Sequence, residues 1–193
     1  FNKVIYEKIY NDKKEELISL FNGEKNWIKL DETTQDFLVS GEIVYDHLLP
    51  LGDKVDYSAA VIPLTKALEN EIYIHFHREF VNYCVAKRKD VPDVVQEVTG
   101  TYFSLASLNK YVNDVDYATI AKDYLPTTFK GGYVKLPKDI NGKQFVKDVN
   151  NIRKNYRNKV AHKEGISKQT AINCRENMLL IEKMLFKFIN DKK

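Results

Sequence analysis

The stretch NIRKNYRNKVAHKEGIS, residues 151–167, reads as a helix, a stop and a restart. Ile152, Tyr156 and Val160 continue from Phe145 and Val149 at steps of three and four, which is one face of a helix over 143–164. Gly165 suits the left-handed position that closes such a helix. Ser167 is then placed to cap a last helix over 168–190. Its inward stripe is Ala171, Cys174, Met178, Ile181, Leu185 and Phe188. Leu179, Leu180, Met184, Phe186 and Ile189 widen that stripe. An apolar arc so broad is expected to pack on several helices or on a second subunit.

Working outward, YSAAVIPLTKALENEIYIHFHREFVNYCVAKR (57–88) carries Val61, Leu64, Leu68, Ile72, Phe76, Phe80 and Cys84 at the same spacing. This predicts the longest helix and a central member of a bundle. Pro63 falls in its early turns, where a missing N–H costs little. A helix over 33–49 is predicted with Phe37, Ile43, Val44 and Leu48 inward, ended by Pro50 and Gly52. A first helix over 2–22 would bury Ile5, Ile9, Leu17, Leu20, Tyr6, Tyr10 and Phe21, with Gly23 ending it. Trp27, Ile28 and Leu30 read as a loop anchored on the core. Residues 89–142 are less regular. Short helices are expected at 102–113 and 116–124, and Asn141-Gly142 signals a turn. The fold class is therefore all-α: one helical domain over 1–193, a bundle of about five to seven helices, with a small irregular or hairpin insertion around 126–142.

Composition narrows the function. The chain has 193 residues, 30% charged and 44% hydrophobic, with 8 Gly and 5 Pro, which suits long helices rather than a disordered tail. No apolar run reaches the length of a membrane span. Cys84 and Cys174 lie far apart in apolar helical contexts, so they read as small buried hydrophobes of a reducing, cytoplasmic compartment. There is no glycine-rich phosphate loop, nucleophile elbow or zinc spacing, and no cofactor or metal is expected. The first residue is Phe1 and no signal-peptide pattern follows, so the chain is expected to be a piece of a longer protein.

The net charge is only +3, but residues 143–168 hold eight basic side chains against Asp148 and Glu164. Among them Arg153, Lys154, Arg157, Lys159 and Lys163 surround one histidine. Such a face can meet an RNA backbone; it equally fits a solvated lysine-rich helix surface. His162 falls in the terminal turn, where the helix dipole favours imidazolium while neighbouring cations oppose it, so its proton is expected to be exchangeable near neutral pH. Arg157 offers a fixed fork of donors to phosphate. Together they are a minimal set for cleavage of RNA by its own 2′-hydroxyl, without metal. On a straight helix, at about 100° per residue, Arg157 and His162 splay to opposite shoulders of the Tyr156 stripe. Glu69 or Glu71 on the long helix would be placed to tether Arg157 or Lys154. His75-x-His77 splays too far for metal, and His47 reads as structural.

The string YRNKVAH (156–162), Arg-Asn-x-x-x-His near the end of a late helix, resembles the signature of the HEPN superfamily. LTKALENEI (64–72) in a long earlier helix and a closing helix after the motif resemble its surroundings. The resemblance covers about two thirds of the chain; residues 89–142 contribute little to it. It implies a helical bundle that dimerises with two motifs facing, forming a composite site. Many members of the family are metal-independent endoribonucleases of antiviral defence or toxin systems. Carried over, Arg157 would stabilise the phosphorane, His162 would transfer a proton or contact phosphate, and Asn158 would orient the site. Glu69 and Tyr156 would support it from behind. Glu164 stands where toxins silenced by adenylylation carry Tyr, which sets that control apart from this chain. Other members are non-catalytic dimerisation or sensor modules docked on further domains of a parent protein, and that reading stays open. So does a helical nucleic-acid binder that uses 143–168 only as an electrostatic surface.

Overall fold

The computed structural model describes residues 3–74, 148–161, 165–179 and 185. The insertion expected around 126–142, the helices expected at 102–113 and 116–124, and the far half of the 57–88 helix lie outside them. Every regular element among the described residues is helical: α1 (Lys3–Leu20), α2 (Glu24–Trp27), α3 (Glu32–Leu48), a 3-10 segment (Leu49–Lys54), α4 (Ser58–Ile72), α5 (described over 148–161) and α6 (Lys168–Leu179). No described helix is long and apolar enough to cross a membrane.

α1 closes with two crossed backbone bonds, Asn22 N–H to Ser19 O at 3.0 Å and Gly23 N–H to Ile18 O at 2.8 Å. This is the Schellman arrangement, and its left-handed residue is Asn22 (φ 62°), with Gly23 (φ 103°) following. The stop is therefore one residue earlier than Gly23. Trp27 is not in a loop but ends the single turn α2, fully buried with its ring edge-on to Phe21 at 5.5 Å. Leu30 is buried beside it, whereas Ile28 points to solvent.

The core sits where α3 lies along α4, with α1 on the outside of α3 and α5 and α6 against α4. Val61, Leu64, Leu68 and Ile72 of α4 are all fully buried, as their spacing predicts. Val149, Ile152 and Tyr156 of α5 and Ala171, Cys174 and Met178 of α6 complete that core. Burial pushes the Cys174 thiol up to about 12, so it behaves as an inert hydrophobe.

Two faces differ from expectation. Ile5 and Tyr6 of α1 are about half exposed, whereas Tyr10, Ile18 and Leu20 further along the helix pack against the core. In α3 the buried face is Thr34, Leu38, Val39, Gly41, Glu42 and Tyr45, while Phe37, Ile43, Val44 and Leu48 sit half-buried beside it. Within that face Gly41 and Thr34 meet α4 directly. Gly41 makes this possible: a Cβ there would lie 3.3 Å from Pro63 Cβ and 3.4 Å from the Ala60 carbonyl oxygen.

Glu42 enters the core with a partner from the far end of the chain. Arg175 Nε lies 2.8 Å from both carboxylate oxygens, and its guanidinium sits 5.6 Å from the centre of the Tyr45 ring. Burial pushes the Glu42 carboxyl up and Arg175 pulls it back, with burial the stronger. Arg175→Met is expected to cost about 3 kcal/mol, the low end for stranding one member of a buried pair, because the arginine is itself a third exposed. Adding Glu42→Leu should return most of that loss. Urea titrations of the two variants check it.

Candidate active site

α5 leaves α geometry within the motif. Residues Arg153–Arg157 form a π turn, closed by the Asn158 N–H bonding to the Arg153 carbonyl five residues back. Asn158–Ala161 then resume the α-helix. A π turn holds about one more residue than an α turn, so the straight-helix angle does not relate Tyr156 to Arg157, and the splay expected between Arg157 and His162 runs beyond the described residues. His162 and Lys163 lie outside the described residues, as do His75 and His77.

Tyr156 points into the core, and its hydroxyl accepts a 2.8 Å bond from Asn177 Nδ2 on α6. Burial holds its phenol above the usual range. Its role is to fix the π turn against α6. Arg157 leans the other way, toward α4. Its Nε donates to Glu69 Oε1 at 3.4 Å. Lys66 Nζ approaches the other oxygen of the same carboxylate to 2.7 Å. Glu69 is 4% exposed, so it needs such partners, and the tether expected between this helix and Arg157 is present.

Glu71, the other acid considered, serves elsewhere. It accepts the Asp31 backbone N–H at 3.0 Å, and Asn70 Nδ2 reaches Asp31 Oδ1 at 2.8 Å. Asp31 in turn caps α3 through Thr33 N–H. Of the remaining candidates, Arg153 bonds Asn150 Oδ1 at 3.3 Å, Asn158 is half-buried, and Lys154 and Lys159 are exposed. His47 is exposed in the last turn of α3.

A hollow of about 210 Å³ opens between α4 and α5, lined by Ile62, Thr65, Lys66, Arg157, Val160 and Ala161. Among the described residues its charged lining is Lys66 and Arg157, both paired with buried Glu69. A second hollow between α1 and α3 is lined by Tyr6, Glu7, Tyr10, Asn11, Asp36 and Ser40, the wrong sign for phosphate. Among the described residues no three His, Cys, Asp or Glu gather as metal ligands would.

The chain returning from the motif is tied down at once by a residue that pattern reading missed. The Asp56 carboxylate accepts the Ile166 N–H at 2.8 Å, the Ser58 N–H at 2.9 Å and the Ser58 hydroxyl at 2.7 Å. Alongside, the Tyr57 N–H bonds the Ile166 carbonyl at 2.9 Å. Tyr57 Oη donates to the carbonyls of Leu48 and Gly52. The start of α4 and the end of the motif are thus one knot. The local signal was an Asp two residues before a Ser at a helix start; the bond to Ile166, 110 residues away, left no trace in the sequence.

No family model matches this chain, no curated protein is similar to it in sequence, and no solved structure matches its fold.

The Ile166 N–H, the largest influence, and Ser58 hold the Asp56 carboxyl below its ordinary 3.8. A depressed folded-state value stabilises the fold above the ordinary value and withdraws that support as pH falls below it. Wild type should therefore lose stability below pH 3.8 more steeply than Asp56→Asn, which keeps an acceptor but cannot titrate. Chemical denaturation at stepped pH, followed by circular dichroism, measures the difference.

Proposed function

We propose that this chain is a metal-independent endoribonuclease domain of the HEPN type, acting in the cytoplasm as a homodimer on single-stranded or looped RNA. A role in antiviral defence or a toxin-type system follows from the same resemblance. The observation that carries the reading is Arg157 itself. It stands in Arg-Asn-x-x-x-His, on a π turn, tied to buried Glu69 at the rim of a basic hollow. A guanidinium so tied is pre-positioned for a phosphate rather than left to swing, and fixed donors lower a barrier more than mobile ones. In this reading Arg157 stabilises the charge that develops on phosphorus-bound oxygen. His162 moves the proton of the attacking 2′-hydroxyl or of the leaving group, and Asn158 orients the pair. Arg153, Lys154, Lys159 and Lys163 hold the backbone. A partner copy would bring its own Arg157 and His162 opposite.

His162→Ala should reduce cleavage of a fluorophore-quenched single-stranded RNA by about 10²–10⁴-fold. Arg157→Lys, which keeps a cation for Glu69 but loses the fork, should lose about 10²–10³-fold. Both should keep the wild-type circular dichroism spectrum, and EDTA should leave wild type unchanged. Undiminished cleavage by His162→Ala would sink the assignment.

A further inference from the structure

Lys66 belongs to no motif, yet it is drawn to the same point as Arg157. It sits three residues before Glu69 on α4, and Arg157 arrives from α5, 88 residues later than Glu69 in the chain. One buried carboxylate therefore gathers two cations from different helices onto one rim. Neither is spent in doing so. Lys66 is 43% exposed and Arg157 35%. Among the described residues the guanidinium engages Glu69 through Nε alone, which leaves its two terminal nitrogens for a ligand. Among the described residues two positive charges stand over one negative, so the rim they form is net cationic and prefers an anion.

The rest of the hollow limits what that anion can be. Thr65 donates its hydroxyl proton to the Ile62 carbonyl at 3.0 Å, so the cations are left as its donors. Ile62, Val160 and Ala161 make an apolar shelf, and Ile62 is 44% exposed although it is large and hydrophobic. Ile62 and Lys66 are four residues apart on one helix, hence neighbours on one face. A cationic rim beside an apolar shelf suits a phosphate joined to a sugar. The volume of about 210 Å³ falls below the roughly 300–1,000 Å³ that encloses a whole small molecule. It suits one link of a longer chain.

We infer that this hollow is a subsite for one phosphodiester of single-stranded RNA. Lys66 is a phosphate contact outside the motif, and Glu69 is the positioning residue that holds Lys66 and Arg157 on the rim. The choice of ligand rests on the RNA reading above, but the subsite is tested without cleavage.

The probe is a 2′-O-methyl single-stranded 12-mer, which lacks the attacking hydroxyl, titrated by fluorescence anisotropy against the full chain at several salt concentrations. Lys66→Ala should weaken binding about three- to tenfold, alike for unrelated sequences, and lower the salt slope by about 0.7, one contact on a single strand. Lys66→Arg should restore both. Glu69→Gln frees both cations from their shared tether and should weaken binding of the probe about two- to fivefold; a carboxylate that only lowered the local charge would tighten it on removal, so tighter binding overturns the positioning role. Thermal melts confirm that each variant is folded. Unchanged affinity and slope in Lys66→Ala, or a wild type that does not bind the probe, overturns the subsite. A wild type that cleaves RNA while Lys66→Ala binds normally leaves the nuclease reading standing and removes only the subsite. A wild type that never cleaves while Lys66→Ala weakens binding does the reverse.

Discussion

A carboxylate taken out of water must be met by a partner, and the α3–α4 pair buries three. Glu42, Glu69 and Glu71 are each at most 4% exposed. Each is answered from a distant part of the chain: Arg175 on α6, Arg157 on α5, and the Asp31 backbone at the head of α3. Apolar packing gathers the helices without choosing their register. These charged contacts are directional, so they set where α5 and α6 come to rest along α4. The candidate site is placed by the same rule that completes the core.

The motif itself is held from three sides. Tyr156 binds the π turn to α6, Glu69 draws Arg157 to α4, and Asp56 ties the chain immediately beyond the motif to the first turn of α4. Two of these three ties end on α4 or the residues leading into it, so the described part of the motif is joined to the central helix. A short motif on the last turn of a free helix would fray. Here both flanks of the unusual turn are anchored, which suits a group whose position matters more than its mobility.

Much of this was legible in the chain and some was not. The α4 stripe, the α5 stripe and the Ser167 cap, whose hydroxyl accepts the Thr170 N–H at 3.2 Å, follow from period and punctuation. The buried face of α3 was misread because hydrophobicity pointed to Phe37, Ile43, Val44 and Leu48. Those side chains pack at its edge, while the fully buried face includes Leu38 and Val39 with Gly41 and Thr34, whose fit shows only when α4 lies against them, and Glu42, which waits for Arg175 of α6. The π turn was invisible because it is a choice among backbone bonds that the same residues could make otherwise. The sequence offered Glu69 or Glu71 as a tether beside a plain structural role, and only the packing separates them. Lys66 was not legible, since a lysine at an exposed helical position looks like any other until the carboxylate it shares is known.

The ties that span the chain also order its synthesis. Glu42 and Glu69 lie within the first 70 residues, whereas Arg157 and Arg175 lie near the end. At ribosomal rates of about 5–20 residues per second, an interval on the order of ten seconds separates α4 from Arg157. During that time α3 and α4 can pair, with Val61, Leu64 and Leu68 packing inward and Lys66 already beside Glu69, but neither acid has yet met its C-terminal arginine. The early hairpin must then leave Glu42 wet or protonated until Arg175 arrives. Translation thus delivers the catalytic candidate and the last stabilising charges together, so a half-made chain lacks both.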